Sequence, residues 1–156
     1  MARLVLEVNV KGVVFKARGH VNIRATHRST MEVTRDDYLT PRGDCIVGVS
    51  AELSPRDLPG ELRSIISSDG SIVVAILCSS GVCDSIVGRG SSKMTLSDDR
   101  RMVFRKSGYV GPETVMIHAS KAAIDLRRDL VRALTAGDEL TVVLLAFKLE
   151  SSNFNS

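Results

Sequence analysis

From His20 to Thr34 the chain alternates in side-chain character without a break. Even positions carry His20, Asn22, Arg24, Thr26, Arg28, Thr30, Glu32 and Thr34. Odd positions carry Val21, Ile23, Ala25, His27, Ser29, Met31 and Val33. A period of two throws successive side chains to opposite faces of extended backbone, so the stretch predicts a strand with one buried face. It exceeds the usual strand length of about 3–10 residues. That predicts a bend, a bulge or two strands meeting near His27 to Ser29. The polar face is unlike an ordinary solvated one, because it gathers imidazole, amide, guanidinium and hydroxyl groups in one row.

Strand signals dominate elsewhere. Leu4 to Val10 alternates, Gly12 breaks the pattern, and Val13 to Ala17 resumes it. Thr40-Pro41-Arg42-Gly43 suits a type I turn, with Pro second and Gly fourth, before a strand over Cys45 to Ala51. Ser71 to Leu77 reads SIVVAIL, a β-branched apolar run that predicts a central strand buried on both faces. Further strands are expected near Asp84–Val87, Lys93–Leu96, Met102–Lys106, Thr114–His118 and Leu140–Phe147. Helical spacing occurs twice, at about 59–68 and about 120–136. In the second, Ser120 reads as N-cap and Gly137 as stop. No internal repeat, linker or low-complexity segment is evident. The expected fold is a mainly β single domain over 1–150, a β-sandwich or jelly-roll-like barrel with two short-to-medium helices. A flexible tail is expected over 151–156.

With 156 residues the chain can bury a core without metals or disulfides. No apolar run approaches the roughly 20 residues of a membrane span. The start, MARLVLEVNV, reads as a strand rather than a signal peptide, which places the protein in the cytoplasm. Net charge is +3 and the pI about 8.9. That mild basicity comes without a Lys/Arg block and with only four Phe and two Tyr for base stacking, so it does not establish nucleic-acid binding. Arg far outnumbers Lys, Gln is absent and Asn is rare, a composition that fits a protein selected at high temperature. Cys78 and Cys83 are too far apart for a zinc pair and lack a second pair. They are either a hairpin disulfide or two small, partly buried residues.

Several side chains carry candidate chemistry. His20, Asn22, Arg24 and Thr26 would project from one strand face and offer donors and acceptors to a ligand; a polar face crossing a neighbouring strand would use the same residues structurally. His27 falls among the apolar positions, which suits a locally satisfied histidine. A bulge re-aiming it toward His20 would bring His20, His27 and Cys45 or Asp44 together as metal ligands, although no recognised metal spacing supports this. Arg42-Gly43-Asp44 follows the proline turn. Arg42 there can hold phosphate or carboxylate, and Asp44 can orient a histidine or act as a base; alternatively Asp44 caps its own turn. Lys121 reads as a cation in a first helical turn, where the dipole disfavours it unless an anion is bound.

The runs HVNIRATHRSTMEVT…LTPRGDCIVGV and MVFRKSGYVGPETVMIHASKAAIDLRRDLV resemble an archaeal family catalogued as domain of unknown function 371. The likeness covers roughly Leu4 to Leu149. The family's His-Pro-Asn start is here His20-Val21-Asn22, so a rigid turn at that point is not implied. Matching motif positions include His20, Asn22, Ala25, His27, Thr30 and Thr40, then Arg42 to Cys45, Arg105 to Ser107, and Lys121 with Ala122. The resemblance implies archaeal origin and a β-sandwich-type domain. It implies no activity, no cofactor and no enzyme class.

The functional expectation is a polar site for a small molecule or anion, with catalysis open. His20, His27 and Asp44 are the candidate proton-transfer and orienting groups. Asn22, Thr30, Arg42, Lys106, Ser107 and Lys121 are the candidate ligand contacts. The alternatives are an RNA-associated module, drawn from the pI and the Arg-rich strand face, and a ligand-free scaffold or oligomer subunit. The proposition joining the first set is that the early strand, the proline turn and the Lys121 region meet at one place.

Overall fold

The computed structural model describes Val5 and residues 8–149. Of the strand expected over Leu4 to Val10, residues 4, 6 and 7 lie outside the described residues, and Val5 and residues 8–10 are not in a strand; the tail over 151–156 lies outside the described residues. Eight strands and two helices follow in order: β1 (Lys11–Arg18), β2 (Thr30–Thr34), β3 (Ile46–Gly48), α1 (Gly60–Ile66), β4 (Ser71–Ser79), β5 (Val82–Arg89), β6 (Arg101–Arg105), β7 (Thr114–Met116), α2 (Arg128–Thr135) and β8 (Glu139–Lys148). A 3-10 turn precedes each helix, at Pro55–Asp57 and Ala123–Asp125. One sheet has the order β1-β8-β4-β5 and the other β3-β2-β6-β7. β2 with β3 and β6 with β7 are parallel; the other pairs are antiparallel. Single bridges, Arg18 to Val49 and Arg89 to Ile117, join the sheets at either side. The chain is therefore mainly β with two helices, as its alternation predicts.

The two halves of the chain are built alike, although no repeat is evident in the sequence. β1-β2-β3-3-10-α1-β4 and β5-β6-β7-3-10-α2-β8 are the same element order. Their contacts match pair for pair. Ala17 opposes Leu140 as Gly88 opposes Val73. Glu32 opposes Ile46 as Val103 opposes Thr114. The Arg18 N–H donates to Val49 O at 2.7 Å and the Arg89 N–H to Ile117 O at 2.8 Å. Even four of the five non-glycine residues of positive φ fall in pairs, Ala25 with Leu96 and Ser50 with His118, all at 50 or 51°; the fifth, Ser80, sits in the turn that joins the halves. Both sheets mix the halves. In the first they alternate strand by strand, so β1 and β4 touch only through β8.

Each helix is placed by an arginine that clamps backbone carbonyls. Arg63 donates to Pro55 O at 2.7 Å and Leu96 O at 3.0 Å. Arg128 donates to the counterparts, Ala123 O at 2.8 Å and Ala25 O at 3.1 Å. A buried carbonyl next to a left-handed residue has no ladder partner, and the guanidinium supplies one. The helix sides that face inward are Leu62 and Ile66 on α1, and Leu130, Val131 and Leu134 on α2.

Four expectations are corrected. The long alternation is a strand only from Thr30; before it, residues 19–28 are irregular, and the alternation tracks burial without a ladder only from Ile23 to Thr26, since Val21 is exposed. Lys93–Leu96 is no strand, because it is the counterpart of that same irregular segment: Met94 N–H donates to Ser91 O as Ile23 N–H does to His20 O. Helix α2 starts at Arg128, not Ser120. β4 is buried on one face only; Ser71, Val73, Ala75, Leu77 and Ser79 are inside while the residues between them are half-exposed. The hairpin β4–β5 turns through Ser80 and Gly81, with φ of 50 and 79°, the paired left-handed residues of a type I′ turn. Cys78 and Cys83, opposite each other on that hairpin, form a disulfide.

Candidate functional site

Among the described residues, both candidate histidines do a backbone task with one nitrogen and have no partner on the other. His27 Nδ1 accepts from the N–H of Ser29 at 3.2 Å and of Thr30 at 3.0 Å, with the Thr30 hydroxyl also 3.0 Å away. This closes the turn that starts β2. His20 Nδ1 accepts from the Asn22 N–H at 3.0 Å. An accepting Nδ1 puts the proton of the neutral ring on Nε2. In the other half the same turns are closed by other side chains. Asp98 Oδ1 accepts from the N–H of Arg100 and Arg101 at 2.8 and 2.7 Å, and Ser91 Oγ from Lys93 N–H at 3.2 Å. The fold thus demands an acceptor at these positions, not an imidazole.

The turn residues Thr40 to Gly43 are laced to the His20–Arg28 segment. Gly43 N–H donates to Thr40 O at 2.9 Å, which bears out the expected turn. The Asn22 side chain donates to Leu39 O at 2.9 Å. The Thr26 and His27 N–H groups share Asp44 O at 2.9 and 3.2 Å. Ile124, in the 3-10 turn before α2, donates its N–H to His27 O at 3.1 Å, and Lys106 N–H donates to Ser29 O at 2.9 Å. The early segment, the proline turn and the region after Lys121 therefore share one network of backbone bonds around His27.

The candidate cations divide within it. Lys106 pairs with Asp125 at 2.6 Å, and Arg35 pairs with Asp57 at 3.4 Å in the equivalent place. Asp57 and Asp125 also cap their turns, accepting from the N–H of Ser54 and Ala122, and these bonds hold both carboxyls below the usual range. Lys106 is thus part of a doubled scaffold. Lys121 is not in a helical turn; its ammonium bonds Asp84 on β5. Burial works to raise the Asp84 carboxyl, but Lys121 and the N–H groups of Arg127 and Ser85 outweigh it and hold it low. In the first half, Val13 and Leu53 stand where Asp84 and Lys121 stand, both packed against the core. Ser107 holds its own turn through the Tyr109 N–H at 3.3 Å.

Arg24, Arg28 and Arg42 are exposed and form no ion pair among the described residues. Their counterparts on the second half are Thr95, Asp99 and Val110. Arg24 and Arg28 stood out in the sequence as part of the polar face, yet nothing there marked them as lacking a counter-charge. That property appears only when partners are assigned. At these three positions the halves share a backbone and differ in side chain: arginine in the first, and threonine, aspartate and valine in the second.

No three His, Cys, Asp or Glu side chains stand close enough to hold a metal ion among the described residues, so the His20–His27–Cys45/Asp44 metal arrangement is not formed. Cys45 is half-buried, and burial, with Glu32 beside it, pushes its thiol up to about 11. Shallow clefts of about 370 and 230 Å³ lie beside Glu139, one at Cys78–Gly81 and one at Lys16–Arg18; none of the candidate residues lines them.

A mainly β domain with a polar loop network on one half is the class these features define. The chain belongs to the family described as domain of unknown function (DUF371), which matches residues 15–147. It is 42% identical over 127 residues to the uncharacterized protein MJ0206 of Methanocaldococcus jannaschii, covering 81% of this chain and 93% of that one. No helix among the described residues is long and apolar enough to cross a membrane.

Proposed function

We propose that the first-half loop network binds a small anionic ligand, a phosphate- or carboxylate-bearing molecule. The observation that carries this reading is the contrast across the two halves. Turns that Ser91 and Asp98 close with simple acceptors are closed here by His20 and His27, each keeping an Nε2–H donor in reserve. Arg24, Arg28 and Arg42, without carboxylate partners among the described residues, supply the charge, and a guanidinium binds phosphate or carboxylate through two parallel N–H bonds. Asn22 and Thr30 would orient the ligand. Asp44 is the carboxylate available to take or hold a proton beside an imidazole, so acid–base chemistry at this site is part of the proposal. The composition further supports an origin at high temperature, and a cytoplasmic setting is part of the proposal.

Calorimetric titration with inorganic phosphate, pyrophosphate and a nucleoside monophosphate tests the reading. Binding that weakens at least tenfold when Arg24, Arg28 and Arg42 are replaced together by alanine supports it. Unchanged binding in that variant, or none of the three anions bound at millimolar concentration, removes it. A steep fall of RNA binding with salt, borne by the same arginines and without small-anion binding, would move the site to the RNA reading.

A further inference from the structure

The outward face of the first sheet is apolar where a solvated strand would alternate. β4 and β8 read SIVVAILCS and ELTVVLLAFK, apolar at nearly every position, the pattern of strands covered on both sides. Among the described residues, only one side is covered. Phe147 and Ile72 stand opposite each other on the outer face, as do Leu145 and Val74, then Val143 and Ile76. All six are half-exposed, and none of them packs against the core. Val14 and Val87 flank them on the edge strands, 63% and 45% exposed.

The fold does not require this. The halves place Cys78, Thr141 and Lys16 where Leu145, Val74 and Val87 stand, in the same strands and with the same pairing. The apolar character is an addition confined to one end of the face.

We infer that this face is where two copies of the chain pack, sheet against sheet, about a twofold axis running along the β4–β8 boundary. Such an axis lays each row over itself reversed. Leu145 then meets the other copy's Val74, and Phe147 meets Ile72. Val87, which protrudes from β5, lies over Gly12, which has no side chain, three strands away in the same row. Aligned packing at about 10 Å is an ordinary arrangement for two such faces. Four strands and five outward rows give a projected area of about 500 Å². Side-chain relief brings that toward the roughly 800 Å² per partner of a standard interface.

Sedimentation equilibrium of the full chain from about 1 to 100 µM decides it. A mass of two copies that falls to one copy in Val74→Glu and in Val87→Lys is the expected result. Circular dichroism and thermal melting check that each variant is folded. Should Val74→Glu fail to fold, the exposed position of Val87 lets the second variant decide alone. A one-copy wild-type mass at 100 µM overturns the inference and leaves the face to the chain's own terminal segments or a different protein. A two-copy mass unchanged by folded Val87→Lys overturns it too, by placing the contact elsewhere.

Discussion

His27 and Asp98 hold corresponding turns by the same two bonds: each accepts from the backbone N–H groups two and three residues ahead. One uses a ring nitrogen and the other a carboxylate oxygen. The pair separates what the backbone needs from what the side chain adds.

Replacing His27 by Asp should therefore leave stability within about 0.5 kcal/mol, because the acceptor is retained. Replacement by Ala leaves two N–H groups without it and should cost about 1 kcal/mol, the usual worth of a cap. Urea melts of the two variants measure the difference. Equal losses in both would mean that the ring is packed for its shape instead.

Lys121 offers a sharper test, since Val13 and Leu53 show the apolar solution for the same contact. Lys121→Leu alone strands the Asp84 carboxylate and should cost about 2 kcal/mol, less than a deeply buried pair because Lys121 is partly solvated. Adding Asp84→Val should recover most of that loss. A double-mutant cycle gives the coupling directly, and additive losses would refute the equivalence.

Acid titration should show Glu32 and Asp84 acting in opposite senses. Burial pushes the Glu32 carboxyl up, although Arg101 bonds it at 3.0 Å. The folded state then holds its proton more tightly than the unfolded chain does. Its cost is fully present above the raised folded value and is relieved as pH falls through that value toward the ordinary range of glutamate. Asp84, held low, contributes stability that is complete above the unfolded aspartate value and is lost as pH falls through its depressed folded value. Glu32→Gln should flatten the stability curve in the first window only. A curve unchanged there would show that Glu32 titrates normally.

Cys45 should react slowly with a thiol reagent at pH 7.5, since its thiol value of about 11 leaves little thiolate. Denaturant should speed labelling at least tenfold. Fast labelling of the native protein would contradict the burial of that side chain.

The parts legible from sequence are those whose pattern is local. β4, β5, β6 and β8 follow from short apolar or alternating runs, and α1 from Leu62, Ile65 and Ile66 behind a Pro-Gly start. The late start of α2 was hidden because Leu126, Leu130 and Leu134 keep helical spacing across a break. What interrupts the helix is the Asp125 bond to the Ala122 N–H and the grip of Arg128 on four carbonyls, both tertiary in consequence. The likeness of the halves was hidden for a related reason. His20 and Ser91 do equal work with unequal residues, and Arg63 and Arg128 do it from unequal places in their helices, so identity vanishes while geometry persists. The candidate site was half legible: His27 and the turn at Arg42 were visible, whereas Lys106 and Lys121 turned out to be occupied by Asp125 and Asp84.

Because β1 and β4 are neighbours only by way of β8, neither half of the polypeptide contains a complete sheet. Cutting the chain at the Ser80–Gly81 turn should yield two pieces that stay unfolded apart and regain structure on mixing. Unfolding of the intact domain should likewise be all-or-none, with no stage in which one half survives the other.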